Sequence, residues 1–475
     1  MKRLTSALLL LVSAGAAAIE PPAHGQSAWM LADANTGNIE MRHQDELLMK
    51  PASTQKLVTV LAGALTLGPD WQYETRLQYR GDLDQGRLTG DLLIDFAGDP
   101  SLTREQLAEL LRRSGIRHIS GKVLLNQYHF TGYDRGNGWS WNDLGVCYTA
   151  PAAALILDRN CVQGALYART GSPARATVPA HQPVSVSAEV AVLNRTEREQ
   201  SFCELELDMG PDNQYHLTGC IGPRKEPWPL RFAIQDVSHW GTQLTGWALK
   251  QAGIVHSGTM EGSRINASQW PVLASHKSPP FAELAERILV YSDNLYADSL
   301  LRTLGAMHFS QPGSFRNGTQ AVREILKAQA NIDLGPSWLA DGSGLSAHNL
   351  LRARDLMAVL LTISQDPRAQ WLFVRLPVSG ESGTLRYRKS VQGPALKGKV
   401  IAKTGTIAHV QNLAGFIDTP NGERKAFVLL QNGLSISPEQ SDAMAQGQLE
   451  WPARRFERNW LTGITERESI VSTNQ

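Results

Sequence analysis

Three short motifs at very unequal intervals constrain this chain more than any other feature. Ser53-Thr54-Gln55-Lys56 lies near the start, Ser292-Asp293-Asn294 follows 236 positions after Lys56, and Lys403-Thr404-Gly405 comes near the end. On a helix, positions i and i+3 share a face, so Ser53 and Lys56 project together from one N-terminal turn. A serine is a poor nucleophile until a base stands within hydrogen-bond reach. A lysine becomes that base when burial and nearby positive charge lower its pKa. Leu57, Val58, Val60, Leu61, Ala64 and Leu65 supply the burial, and the helix N-terminus favours developing negative charge. Ser292 and Asn294 add a hydroxyl and an amide at a loop-to-helix junction. Asp293 is expected to face away, as a stabilising acid in a first helical turn. Lys403 adds positive charge, Thr404 and Thr406 add hydroxyls, and Gly405 leaves room for a substrate backbone. Taken singly, each motif is ordinary: a capping serine, a turn, a strand end.

The pattern between the motifs points to two chain ends sharing one domain. Residues 27–32 and 39–42 are apolar runs around Thr36-Gly37-Asn38, a hairpin signal. Pro51 opens a helical pattern that Gly68-Pro69 stops. Near the other end, residues 412–418 and 425–431 are strand-like around Pro420-Asn421-Gly422, and residues 439–462 suit a closing helix. Both ends therefore belong to one antiparallel sheet with a buried helix. Residues 73–260 differ: short strands alternate with Gly, Pro and Asp turns, with a helix expected over 103–114. Residues 281–361 are again helical, broken near Gly342 and Gly344. The economical fold class is α/β and multi-domain, with a mostly β insertion splitting the domain.

The N-terminus sets the compartment. Lys2 and Arg3 precede an apolar stretch over residues 4–12, and Ala16-Ala17-Ala18 fits a signal-peptidase site. Residues 1–18 read as a cleaved secretory signal. The stretch is short for a membrane anchor, and no cysteine follows it, against a lipoprotein. Four cysteines, Cys147, Cys161, Cys203 and Cys220, agree with an oxidising compartment. They allow three pairings. Cys147–Cys161 with Cys203–Cys220 closes two short loops and is preferred. With neither CxxC nor HExxH, no metal and no cofactor are expected. The 475 residues suggest two to three domains, and a formal net charge of +1 gives no reason to expect nucleic acid.

In this order the three motifs are the signature set of serine β-lactamases and penicillin-binding proteins. The interval from Lys56 to Ser292 is far longer than a β-lactamase uses. Together with Asp95-Phe96-Ala97-Gly98-Asp99-Pro100-Ser101-Leu102, Trp139-Ser140-Trp141-Asn142-Asp143, Asp158-Arg159-Asn160-Cys161, Asp341-Gly342-Ser343-Gly344-Leu345-Ser346 and Leu413-Ala414-Gly415-Phe416, it resembles the class C low-molecular-mass penicillin-binding proteins. These are D-alanyl-D-alanine carboxypeptidases and endopeptidases of peptidase family S13. The resemblance covers essentially the whole mature chain.

The resemblance implies a transpeptidase-like domain over residues 19–75 and 262–475. It also implies an inserted domain over 76–97 and 166–261, and a second one nested in it over 98–165. It implies that Ser53 attacks the penultimate D-Ala carbonyl, with Lys56 as general base and Ser292 as proton relay. Asn294 would hold the substrate amide. Thr404 and Thr406 would bind the terminal carboxylate beside Lys403 and Gly405, and the N–H groups of Ser53 and Thr406 would form an oxyanion hole. Asp158 resembles the partner of a diaminopimelate amino group. Two positions depart from the family pattern: Ala347 stands where an Arg is expected, and Ile407-Ala408 where a Gln is. A broader or shifted side-chain specificity follows. The implied partners are peptidoglycan stem peptides and cross-links, β-lactams as covalent inhibitors, and peripheral membrane or cell-wall machinery. The implied compartment is the periplasm. The rival readings are a serine β-lactamase or esterase on the same scaffold, and a non-enzymatic periplasmic scaffold.

Overall fold

The computed structural model describes residues 20–472, with side chains described through residue 466. The signal segment, residues 1–18, lies outside the described residues, as does the very end of the polar tail.

The chain ends meet in one sheet. Strand Gln26–Asp33 pairs antiparallel with Arg424–Asn432, Ala28 opposite Leu430 and Asp33 opposite Lys425. The full order is Val400–Ile407, Val410–Asp418, Arg424–Asn432, Gln26–Asp33, Ile39–His43, antiparallel throughout. Side chains alternate across the pleat. Met30, Ala32, Phe416, Val428 and Leu430 face one core; Leu31, Leu413, Phe427 and Leu429 face another. The expected hairpin turn is closed by Asp33, whose Oδ1 accepts from the backbone of Asn35 and Thr36 at 3.1 and 2.8 Å.

Helix Lys56–Leu67 runs through the first core. Every residue from Lys56 to Leu65 is buried, so over these turns the helix has no wet face and its neighbours shape it. Helices Phe281–Val290, Asn294–Phe309, Phe315–Ala330 and Ala353–Gln365 surround it. Full burial of a Leu or Val is worth about 1.5–3 kcal/mol, so Leu57, Val58 and Leu61 hold this helix in place strongly. The opposite sheet face is covered by Phe456, Trp460 and Leu461. They belong to helix Pro452–Ser472, which follows a separate short helix, Pro438–Ala445. The single closing helix expected there is thus two, because Gly447 at φ +73 and Pro452 interrupt it.

Strands Glu74–Asp84, Arg87–Asp95, Val123–Asn126, Met260–Ser263 and Val272–Lys277 share one seven-stranded sheet of the insertion. Helices Arg104–Arg113 and Val237–Gln251 cover it, closing a core around Leu107, Leu111, Trp240 and Leu244. Thr103 caps the first helix in a capping box with Gln106, and Gly115 beyond its end has φ +72. A smaller β unit, spanning residues 161–233, has its own core around Leu166, Tyr215, Leu217 and Phe232.

These sheets correct the expected boundaries. Residues 98–165 are not a unit of their own. Val123–Asn126 is buried along its length and pairs in parallel with both Arg87–Asp95 and Met260–Ser263. A strand enclosed on both edges and both faces cannot belong to a separate body. The nested unit lies further along the chain, and the outer insertion extends to Lys277. The cysteines pair as preferred, Cys147–Cys161 and Cys203–Cys220, with Cα separations of 5.4 and 5.9 Å.

Candidate active site

The three motifs converge where helix Lys56–Leu67, helix Asn294–Phe309 and the edge strand Val400–Ile407 meet. Ser53 sits in a 3-10 turn, Ala52–Gln55, immediately before the α-helix begins at Lys56. Ala52 has φ +46, an unfavourable value for a residue with a Cβ. Asn412 and Asn432, from two adjacent strands, hold this approach. Asn412 Nδ2 donates to the carbonyls of Lys50 and Pro51, both at 2.9 Å, and the Lys50 N–H donates to Asn432 Oδ1 at 2.7 Å. Sequence reasoning missed both; their signal was an amide inside an otherwise apolar strand.

Lys56 Nζ makes three contacts: Ser53 Oγ at 3.0 Å, Asn294 Oδ1 at 2.6 Å and the Ser343 carbonyl at 2.6 Å. Burial lowers its pKa to about 8, against the opposing charges of Asp298, Asp341 and Asp293. Lys403 Nζ donates to Ser292 Oγ at 2.8 Å and to the Thr404 carbonyl at 3.0 Å. Its pKa is pushed well down by burial and then by the positive charges of Lys56 and Arg388. Two buried lysines thus each hold a serine hydroxyl. Ser292 has φ +58, a left-handed conformation of the kind that recurs at functional sites.

Asp293 is buried, and its Oδ2 accepts from Arg159 and from Arg287 Nε, the latter at 3.2 Å. Asn294 has both ends of its amide engaged, because its Nδ2 donates to the Tyr148 carbonyl at 2.8 Å. The insertion therefore forms a wall of the cleft. Trp139 Nε1 reaches Asp341 at 2.9 Å, and the Ala347 N–H reaches the Gly138 carbonyl at 3.0 Å.

Gly405 is also required within the fold. A Cβ there would lie 2.6 Å from the Pro51 carbonyl oxygen and 3.1 Å from Thr54 N, so the glycine lets the strand lie against the Ser53 turn. Thr404 Oγ1 donates to Thr384 Oγ1 at 2.9 Å, while Thr406 is exposed.

Asp158, the sequence-derived partner for a substrate amine, is engaged by Arg104. Its Oδ1 accepts from the Arg104 N–H at 3.1 Å and its Oδ2 from Arg104 Nε. Asp158, Arg159 and Asn160 all have positive φ, +50, +62 and +47, a turn that swings Asp158 back to Arg104 while Arg159 reaches Asp293. Asp143 stands elsewhere in the insertion, partly exposed beside Tyr148. Burial, and then its hydrogen bond with Asp143, hold the Tyr148 phenol above its ordinary range. Among the described residues, no group of His, Cys, Asp and Glu side chains is arranged to hold a metal ion.

The family model described as D-Ala-D-Ala carboxypeptidase 3 (S13) matches residues 13–454. The chain belongs to the S13 family. It is 36% identical over 430 residues to D-alanyl-D-alanine carboxypeptidase DacB of Haemophilus influenzae, covering 90% of this chain and 88% of that one. It is 28% identical to a D-alanyl-D-alanine carboxypeptidase of Actinomadura, over 86% of this chain and 78% of the other. The crystal structure of penicillin binding protein 4 from Haemophilus influenzae superposes with a TM-score of 0.85 at 35% identity, covering 94% and 97% of the two chains. The same enzyme complexed with a β-lactam gives 0.80 at 32%, with the same coverage. The multi-domain α/β architecture is thus that of an S13 penicillin-binding protein, and the chain is a serine-type D-Ala-D-Ala carboxypeptidase of that family. No helix among the described residues is long and apolar enough to cross a membrane.

Proposed function

We propose that Ser53 is the nucleophile and Lys56 its general base, in a periplasmic enzyme that trims D-Ala-D-Ala termini and cleaves D-Ala-linked peptidoglycan cross-links. The observation that carries the reading is the contact set of Lys56 Nζ. In the neutral amine, two N–H groups serve Asn294 Oδ1 and the Ser343 carbonyl, and the lone pair remains for the Ser53 hydroxyl 3.0 Å away. Ser53 Oγ attacks the penultimate D-Ala carbonyl as Lys56 takes its proton. The negative oxygen is met by the N–H groups of Ser53 and Thr406; one such donor is worth about 2.7–4 kcal/mol where it has been removed from other enzymes. Ser292, held by Lys403, passes a proton to the departing amine. The C–N bond breaks, the acyl-enzyme ester remains, and water hydrolyses it. A β-lactam acylates Ser53 in the same way, but its leaving amine stays tethered in the site, so the ester is long-lived.

Lys403, Thr404 and Thr406 suit the terminal carboxylate. Asp143 is the carboxylate available to a substrate amine, since Arg104 occupies Asp158. Ala347 and Ala408 offer no side-chain hydrogen bond to a diaminopimelate carboxylate, which supports a broad tolerance at the substrate's third residue. The insertion suits contacts with cell-wall machinery or the membrane surface.

Intact-protein mass after brief exposure to benzylpenicillin tests the reading. A stable adduct on wild type and none on Ser53→Ala is expected. An adduct on both, or on neither with penicillin unchanged, overturns the assignment of Ser53. Penicillin consumed without an adduct marks a β-lactamase instead.

A further inference from the structure

Resting on Lys56 as the base, we propose that Asp298 is a positioning residue for that base: it anchors the peptide that supplies one of the lysine's ligands.

Asp298 lies one helical turn beyond Asn294, on the same face. Asn294 touches Lys56 directly; Asp298 reaches it through the glycine-rich loop. Its Oδ1 accepts from the N–H groups of Gly342 and Ser343 at 2.8 and 3.0 Å. The Ser343 carbonyl is the acceptor for Lys56 Nζ. The same loop is held from the other side by Thr59, one turn along from Lys56, whose hydroxyl donates to the Gly342 carbonyl at 2.7 Å. The loop is thus clamped between the helix that carries the base and the helix that carries Asn294.

The two glycines exist for this close approach. A Cβ at Gly342 would lie 2.7 Å from the Ala297 carbonyl oxygen and 2.8 Å from Leu301 Cβ, and one at Gly344 would lie 1.9 Å from the Ala52 carbonyl oxygen. The loop is wedged onto the Asp298 helix on one side and onto the Ser53 turn on the other. A loop serving only as a connection would not need both contacts.

Asp298 is fully buried, and its Oδ2 has no hydrogen-bond partner among the described residues. The charged groups facing it are Lys56 from the nucleophile helix, Asp341 from the loop, and Arg302 one turn on along its own helix. Asp293 and Lys403 complete the charges around Lys56. Burial lifts the Asp298 carboxyl well above the ordinary range, the Asp341 charge lifts it further, and Lys56 opposes both.

The proposal is tested by the pH dependence of acylation by a chromogenic β-lactam, on full-length mature enzyme. Asp298→Asn keeps an acceptor for the two N–H groups and removes the charge. Its plateau rate should stay well above that of Asp298→Ala, because the anchor is kept. Asp298→Ala removes the anchor as well, and should lower the plateau about tenfold or more, as misplaced catalytic groups do. Thr59→Val loosens the same loop without changing charge; its plateau should fall while its limb stays. An unchanged plateau in Asp298→Ala, or one in Asp298→Asn as low as in Asp298→Ala, overturns the anchoring role. If the Asp298 variants do not fold, Thr59→Val is read alone in the same assay, and an unchanged plateau there overturns the anchoring role. A wild-type profile with no acid limb at all would instead refute Lys56 as base, separately from Asp298.

Discussion

Gly405→Ala is the substitution whose outcome follows most directly from the structure. The new Cβ would stand 2.6 Å from the Pro51 carbonyl oxygen, where ordinary contact begins near 3.4 Å. About 0.8 Å must therefore be absorbed. The obstacle is backbone, and the same Pro51 carbonyl is tied to Asn412 Nδ2 at 2.9 Å, so it cannot swing aside as a side-chain tip would. Overpacking of this kind costs about 1–3 kcal/mol of stability, which a domain with so large a core survives. Catalysis is less tolerant. The turn that must move carries Ser53, and a misplacement near 1 Å costs on the order of 100-fold in rate. The expectation is a folded protein, with a slightly lowered melting temperature and acylation slowed by about 10- to 100-fold. Stopped-flow acylation by a chromogenic cephalosporin, alongside thermal melting, measures both. Wild-type acylation at Ser53 with weakened peptide binding would refute the reasoning, because it would mean that Gly405 admits substrate rather than the nucleophile turn.

Other expectations follow from the same geometry. With the Lys56 pKa lowered to about 8, the reactive neutral amine is lost as pH falls. Acylation should plateau above that value and drop to about 1% of the plateau two units below it; a flat profile from pH 6 to 9 in rapid-mixing experiments would contradict this. Asp143→Asn should weaken turnover of peptides bearing a free side-chain amine. Asp158→Asn, by contrast, should act mainly on stability, since Asp158 serves Arg104; steady-state kinetics on amine-bearing and acetylated peptides separates the two. Replacing Cys147 and Cys161 by Ser opens a loop of separation 14, at a cost of about 3 kcal/mol on a chain-entropy account. It should also slow acylation, because Tyr148, next to Cys147, holds Asn294; denaturant melts and acylation rates read the two effects.

Much of this protein was legible along the chain because the relevant forces are local. The hairpin at residues 36–38, the helix beginning at Thr103, the stop at Gly68 and the strand-like run of residues 425–431 depend on neighbours a few positions away. The three motifs needed only their own residue types to suggest a serine held by a lysine. The preferred cysteine pairing joined the two shortest loops, and the structure agrees.

What the chain could not declare were matters of distance through space. Asp158 and Asp143 are the same residue type in similarly irregular stretches, and only the fold reveals that Arg104 occupies one of them. Gly405 reads equally as room for substrate or room for Pro51 until the turn is placed against the strand. The nested unit was misplaced because Val123–Asn126 carries no mark of which sheet it will complete. The Lys56 pKa depends on burial by distant segments and on carboxylates from Asp298, Asp341 and Asp293, all more than 200 positions away. Sequence alone determined which side chains could do the chemistry, because that is a property of each residue. Tertiary structure decided which of them remain free to do it, because burial and occupied hydrogen bonds exist only once distant segments pack together.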